Sequence, residues 1–319
     1  MTTLPDWARA SGAPVCACRI RGEPADFRVT EVLHIEFSDD GEHDWLYIEK
    51  TGANTEWVAR QLARHADVPA RDVGYAGLKD RHAVTRQWFS VRRPSGEGTD
   101  WGVLDVEGVT LLEQHRHLRK LKRGAHRGNT FCIALRGDDV RTHRDELVER
   151  LQVLAGQGVP NYFGEQRFGR DGGNVALGEA VLAGRRVSRN QRSIGLSAVR
   201  SLQFNNALAA RVVEGTWNRL LPGDVANLDG SGSVFDVDEV TPELEQRCAD
   251  LDVHPCGALP ALEAAGVKAA SRPLRMRVTG LEWELAPDAL WIEFRLGKGS
   301  FATSVLREVV GFTSLRPEK

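Results

Sequence analysis

The sequence predicts an α+β protein, and three observations carry that prediction. Both ends of the chain alternate apolar and polar residues with the period of two that marks half-buried strands, as in "DFRVTEVLHIE" and "LWIEFRL". The middle, from about residue 156 to 270, is helix-rich, with one short hairpin pattern. The chain has 319 residues and is 41% apolar, enough for real cores in one large domain or two ordinary ones. A central insertion into one strand-based domain and two sequential domains both fit this shift in texture, and periodicity does not choose between them.

The elements follow in order. Phe27, Val29, Leu33 and Ile35 share one face of a first strand. Glu31 falls on the same face, either as a strand-end misfit or as an acid held near a polar site. "WLYIEK" is a second strand. Asn54 caps a helix, "TEWVARQLARHA", in which Trp57, Gln61, Leu62 and His65 share a side. "QWFSVRR" is another strand. "LRKLKRGAHRGNTFCIALRG" joins a basic half to a strand on which Asn129, Phe131, Ile133 and Leu135 face one way. "THRDELVERLQVLAGQG" is a helix with Thr142 as N-cap and a Leu147, Leu151, Leu154 stripe, stopped by Gly156 or Gly158.

The Gly- and aromatic-rich "GVPNYFGEQRFGRDGGN" leads to another helix and to a second basic cluster, "GRRVSRNQRS". "SAVRSLQFNNALAARVVEGTW" is an amphipathic helix capped by Ser197. "GDVANLDGSGSVFDV" is a hairpin around a Gly/Ser turn. "TPELEQRCADL" starts a helix with Thr241 as cap and Pro242 at its first position. Strands return in "RMRVTGLEWEL" and "LWIEFRL". "SFATSVLREVVGF" is a last helix, capped near Ser300.

Composition removes several classes of function. A net charge of −2 names no partner, so any nucleic-acid face must come from local clustering. The first residues lack a basic start followed by an apolar run, and no apolar run approaches the ~20 residues of a membrane span. Five cysteines without a C-x-x-C pair support neither a disulfide framework nor a zinc ribbon. A cytoplasmic protein is expected, with no membrane partner. No coiled coil or apolar strip argues for assembly, so a monomer is expected.

The stretch "GYAGLKDRHAVTRQW" concentrates glycines and charge. A phosphate loop would need Ser or Thr after Lys79, where Asp80 stands. Asp80, His82, His115, His117 and His126 have no metal-site spacing and sit among arginines, so no metal is expected. A serine hydrolase lacks its G-x-S-x-G elbow. Asp80 reads either as the aspartate of an Asx-turn or as a carboxylate set at a cleft. Lys79 and Arg81 beside it would favour its charged form, suited to a nucleophile, an electrostatic partner or a base.

The basic run Arg116, Arg119, Lys120, Lys122, Arg123 and Arg127 is either a solvated face or a strip of phosphate contacts. It ends at Asn129 and Phe131, an amide that can read a base edge and a ring that can stack on a base. With the clusters at 185–192 and 272–277, charge is segregated, and RNA suits it better than duplex DNA.

Six segments in one order span nearly the whole chain: "RIRGEPADFRVTEVL", "GYAGLKDRHAVTRQWFSV", "LRKLKRGAHRGNTF", "GVPNYFGEQRFGR", "LSAVRSLQFNNALAAR" and "GSFATSVLREV". Together they resemble the TruD family of tRNA pseudouridine synthases. The resemblance implies a catalytic pseudouridine-synthase domain on a mixed, largely antiparallel sheet, residues 1–155 plus 271–319, interrupted by a helix-rich α/β insertion, the TRUD domain, at 156–270. It implies an active site in the cleft between the two. The implied reaction isomerises a tRNA uridine, at position 13 in the D-arm, to pseudouridine without cofactor or metal.

By position in "GLKD" the catalytic aspartate would be Asp80, which attacks C1′, attacks C6 or removes a sugar proton. Phe131 would stack on the uracil, with Asn129 as a polar contact. Phe27 and Phe301 would line the base pocket, and Lys79 would contact the substrate. Arg21 would pair with Asp80, as a bidentate variation on the family's frequent Lys. The alternative function is an RNA-binding or tRNA-folding module with secondary or no catalysis; a nuclease or N-glycosidase is a third reading.

Overall fold

In a computed structural model of the chain, residues 4–93, 98–228, 234–246, 251–254, 260–267 and 272–314 are described. The chain runs through β1 (Ala17–Ile20), β2 (Phe27–Val32), β3 (His43–Thr51), α1 (Thr55–His65), β4 (Val73–Tyr75), β5 (Val84–Arg92), β6 (Val109–His117) and β7 (Gly128–Leu135). Next come α2 (Asp138–Thr142), α3 (Arg144–Gln157), β8 (Val159–Pro160), α4 (Gly173–Leu182), α5 (Arg189–Val213), β9 (Val225–Leu228) and β10 (Val234–Asp236). It continues through α6 (Pro242–Gln246), β11 (Leu251–His254), α7 (Pro260–Ala264), β12 (Arg275–Met276), β13 (Thr279–Leu285), β14 (Leu290–Gly297), α8 (Ala302–Val309) and β15 (Gly311–Ser314).

The fold is α+β, as the patterning requires. Its large sheet has the order β13-β14-β7-β2-β5-β3-β6, with β4 added on β5. Only β2 and β5 are parallel in it; the other pairs are antiparallel. Two compact units divide the chain. One holds Cys16–Asp145, Thr279–Gly299 and the residues from Phe312; the other holds the residues up to Val15, Glu146–Val278 and Ser300–Gly311. The segment 156–270 lies within the second unit, which also takes in α3 from Glu146, β12 and α8.

Period-two alternation sorts the large sheet into two packed faces. Leu46 and Ile48 of β3 and Phe89 and Val91 of β5 bury against Val58, Ala59, Leu62 and Ala63 of α1. On the opposite face Trp45 and Trp88 form a second cluster with Ala76 and Leu121. Leu33 and Ile35 join that cluster, because β2 ends at Val32 and the chain leaves the strand before them. The predicted strand was therefore too long. In the other unit, Trp7, Tyr162, Phe168, Leu196, Leu208 and Trp217 are among the residues of one core.

Several helix ends differ from their predicted positions. Asn54 precedes α1, but its side chain makes no cap bond; of the predicted side Leu62 is buried, Trp57 packs half-buried against the same core, and Gln61 and His65 are half-buried. Thr142 ends α2, its hydroxyl donating to the Asp138 carbonyl at 3.2 Å, and α3 begins two residues later. Leu147, Leu151 and Leu154 are buried as expected, and α3 ends before Gly158, at φ 73°. The long α5 starts at Arg189, not after Ser197; Ser188 caps it in a reciprocal pair with Gln191. Gly195 does not break the helix. A Cβ on Gly178 of α4 would collide with the Gly195 main chain, so the glycines let the two helices touch.

Phe301, not Ser300, takes the N-cap place of α8. Thr241 does cap α6, accepting from Leu244 N at 3.3 Å. The hairpin forms between β9 and β10, and β11 adds a third strand. Its Gly/Ser turn, together with Cys248 and Cys256, lies outside the described residues.

Candidate active site

One face of the large sheet assembles the site. Register places Val29 of β2 beside Phe131 of β7 and Glu31 beside Asn129. Across β14, Phe131 lies opposite Phe294. On β5 and β3, the same face carries Gln87, Thr85, Ile48 and Lys50. The expected set Arg21, Phe27, Lys79, Asp80, Asn129 and Phe131 is thus gathered in one unit. Phe301 belongs to the other unit, beside Phe163 at 6.3 Å between ring centres and within 5.8 Å of Arg272.

Asp80 forms the Asx-turn and keeps part of its carboxylate exposed. Its Oδ1 accepts from His82 N at 3.1 Å, an Asx-turn, while its Oδ2 meets Arg21 Nη2 at 2.8 Å. The carboxylate is partly exposed at 28%, so the ion pair is open to a ligand. Arg21 Nε is buried with no hydrogen-bond partner. Arg21 is a non-glycine residue at φ 59°, a left-handed conformation that bulky residues seldom adopt. From there its guanidinium lies 4.0 Å over the Phe27 ring before reaching Asp80.

Phe27 and Phe131 meet edge to face at 6.2 Å, and Phe131 stacks on Phe294 at 5.7 Å. Both are buried. Asn129 Oδ1 is likewise buried without a partner, as are Thr85 Oγ1 on the same face and His126 Nδ1 beside Lys79. An amide acceptor and a guanidinium donor left unsatisfied on one sheet face invite a polar ligand, because buried polar groups are normally paired.

Lys79 does not turn to Asp80. Its ammonium forms a buried pair with Glu31 at 2.6 Å, and Glu31 Oε1 also accepts from Trp88 N at 3.4 Å. Glu31 is therefore no misfit; it is the partner of the loop lysine. His126 lies nearby, its pKa lowered by burial and then by Lys79. The glycines fit this packing. A Cβ on Gly77 would sit 3.1 Å from His126 Cε1 and 3.3 Å from Lys79 Nζ. On Gly74 it would run into the Leu121 carbonyl and come within 2.6 Å of Ser90 Oγ. Gly74→Ala is expected to cost about 1–3 kcal/mol, measured by urea unfolding, since Ser90 lies in β5 and the Leu121 main chain is tied to its hydroxyl.

Three buried residues that sequence reading passed over hold the loop. Lys50 Nζ donates to the Asp80 carbonyl at 2.9 Å and to the Ala53 carbonyl at 2.7 Å. Thr55 Oγ1 accepts from Lys79 N at 3.0 Å and donates to Gln87 Oε1 at 2.9 Å. Gln87 Nε2 donates to the Gly77 carbonyl at 3.1 Å. Their signal was present: Lys50 continues the face of Leu46 and Ile48, and Gln87 that of Phe89 and Val91.

Burial pushes the Lys50 ammonium down to about 8, while Asp80 draws it up and Lys79 lowers it further. An unfolded lysine sits near 10.5, so between about 8 and 10.5 the unfolded chain binds more protons. Stability from this group therefore rises with pH across that window. Below it the charged form is carried at a cost on the order of 3 kcal/mol.

The basic run divides into bound and free members. Arg116 donates to the Gly41 carbonyl and lies 3.6 Å from Asp44; Lys120 donates to the Arg71 carbonyl. Arg123 stacks on Tyr75 at 3.7 Å and donates to its hydroxyl. Arg119, Lys122 and Arg127 are exposed, and among the described residues none of them pairs with a carboxylate. Elsewhere Arg185, Arg186, Arg189 and Arg192 are exposed, whereas Arg272 packs 4.0 Å over Phe163 and donates to the Asn161 carbonyl at 2.9 Å. Burial, then Arg167, lowers the Arg272 pKa to about 10. Among the described residues no cluster of His, Cys, Asp and Glu could hold a metal, and no helix is long and apolar enough to cross a membrane.

The family model described as tRNA pseudouridine synthase D (TruD) matches residues 8–186. The chain is 43% identical to tRNA pseudouridine synthase D of Methylococcus capsulatus, covering 96% of this chain and 95% of that one. It is 41% identical to the enzyme of that name from Hydrogenovibrio crunogenus, with 96% of each chain covered. A crystal structure from Methanosarcina mazei, described as a candidate tRNA pseudouridine synthase D, shares the fold: TM-score 0.69 at 19% identity, covering 97% of this chain and 95% of that one. With a family model over more than half of its length and such relatives over nearly all of it, the chain belongs to the TruD family of tRNA pseudouridine synthases.

Proposed function

We propose that this protein isomerises one specific uridine, at position 13 in the D-arm of a tRNA, to pseudouridine, with Asp80 as the catalytic carboxylate and no cofactor. The observation that carries the reading is the partly exposed Asp80–Arg21 pair, in the same unit as two unpartnered buried atoms, Arg21 Nε and Asn129 Oδ1. A carboxylate held by one guanidinium contact can act on a sugar carbon or a base carbon. An amide oxygen can accept from the imide of uracil, and Phe131 offers an aromatic neighbour. Residues 156–270 would be the insertion in a catalytic domain formed by 1–155 and 271–319. The protein would work as a cytoplasmic monomer. Pseudouridine would be mapped chemically in a tRNA transcript incubated with and without the protein. A transcript that stays unmodified, or is cleaved or left abasic, would refute the reading.

The target uridine must leave its stack before C1′ or C6 is reached, at a cost of a few kcal/mol. Phosphate contacts must hold the RNA meanwhile. Arg119, Lys122 and Arg127 are the members of the basic run free to make them. Replacing all three by Gln is expected to weaken tRNA binding and reduce the slope of log K against log salt by about 2–3. Replacing Lys120, already bound to the Arg71 carbonyl, is expected to leave that slope unchanged. Binding titrations across a salt series check both.

A further inference from the structure

We propose that Lys50, Thr55 and Gln87 are positioning residues for the reaction: together they fix the main chain from Gly77 to Asp80, and with it the aim of the Asp80 carboxylate. The proposal rests on the reading that Asp80 carries the chemistry.

The loop needs such a frame. Among the described residues, no main-chain hydrogen bond to another main-chain group involves residues 77–82. The bonds that hold its backbone come from side chains instead. Gln87 takes the Gly77 carbonyl, Thr55 the Lys79 N–H and Lys50 the Asp80 carbonyl. The three donors and acceptors come from three different elements, β3, α1 and β5, so the loop is fixed at three successive points from rigid structure. Thr55 and Gln87 also bond to each other, which locks the hydroxyl direction: the Thr55 proton goes to Gln87 Oε1, leaving the oxygen to accept from Lys79 N.

Burial makes the frame specific. Lys50 and Gln87 are fully buried and Thr55 is 1% exposed, so water does not substitute for a missing partner. Lys50 faces no carboxylate at ion-pair distance among the described residues; its two bonds go to main-chain carbonyls. An apolar residue would fill the position at less cost in desolvation, but it would hold neither carbonyl. The frame does not touch the Arg21 contact. It sets the backbone, and Arg21 then meets a carboxylate already in place.

The experiment compares Lys50→Met, Thr55→Val and Thr55→Ser with the unaltered full-length protein on an unmodified tRNA transcript. Single-turnover pseudouridine formation, the tRNA dissociation constant and the melting temperature are measured for each. Lys50→Met and Thr55→Val are expected to slow turnover by about 10–100-fold, the penalty for a slightly misaimed group, with the dissociation constant within about twofold. Thr55→Ser, which restores the hydroxyl, is expected to recover most of the rate. Wild-type rates in Thr55→Val and Lys50→Met overturn the proposal, as does a loss of rate that only follows the unfolded fraction. If Lys50→Met does not fold, the Val/Ser pair at Thr55 decides. Asp80→Asn runs in parallel: its retention of activity refutes the catalytic reading, whereas an inactive Asp80→Asn beside a fully active Thr55→Val refutes the frame alone.

Discussion

Asp80→Asn is expected to lower single-turnover pseudouridine formation by at least about 10³-fold while leaving tRNA affinity within a few-fold of wild type. The substitution is conservative in shape, which is why it isolates the charge. Asn accepts from His82 N as Asp80 does through Oδ1, so the Asx-turn survives. The Asp80 carbonyl, held by Lys50, is a main-chain group and is unchanged. What disappears is the negative charge facing Arg21 and, with it, the oxygen that would act as nucleophile or base. Binding is not expected to suffer, because removing an anion from a site that receives a polyanion does not oppose association. A rate near wild type would remove Asp80 from the chemistry, whatever its place in the family pattern.

The comparison of sequence with structure has a physical pattern. Features set by local periodicity were legible: the alternating strands, the Leu147, Leu151 and Leu154 stripe, and the shared face of Asn129 and Phe131. Features set by partners far away in the chain were not. Lys79 seemed bound to serve its neighbour Asp80, yet its long side chain reaches Glu31, 48 residues earlier. The ambiguous Glu31 could be resolved only by knowing that partner. Lys50 looked like the polar end of a strand; its burial depends on the loop laid over it from residue 77 onward. Glycine disfavours helices, but the place of Gly195 inside α5 is set by Gly178 of the adjoining helix. Six basic residues looked equivalent in the string, and only their tertiary partners separate Arg116, Lys120 and Arg123 from the three that are free.

Breaking the Lys79–Glu31 pair is expected to have the largest effect on stability. Both side chains are at most 4% exposed and the contact is 2.6 Å, so neither charge has water to fall back on. Glu31→Leu leaves a buried ammonium, and Lys79→Met leaves a buried carboxylate whose other oxygen touches Trp88 N. Each single change is expected to cost about 3–5 kcal/mol in urea unfolding. The double variant, with an apolar pair of similar volume, is expected to return to within about 1–2 kcal/mol of wild type, a strongly non-additive cycle. Additive losses would mean that each residue is held by something other than its partner. The double variant also separates stability from catalysis. Lys79 follows Leu78 in the loop that carries Asp80, and Glu31 lies beside Asn129 in register. If the pair fixes the loop against the strand that bears Asn129, the double variant should fold with near-normal stability and still turn over slowly, because an apolar contact of similar volume lacks the directional bond. If turnover recovers along with stability, the pair serves the fold only, and the aim of Asp80 is left to the buried lysine, threonine and glutamine beneath it.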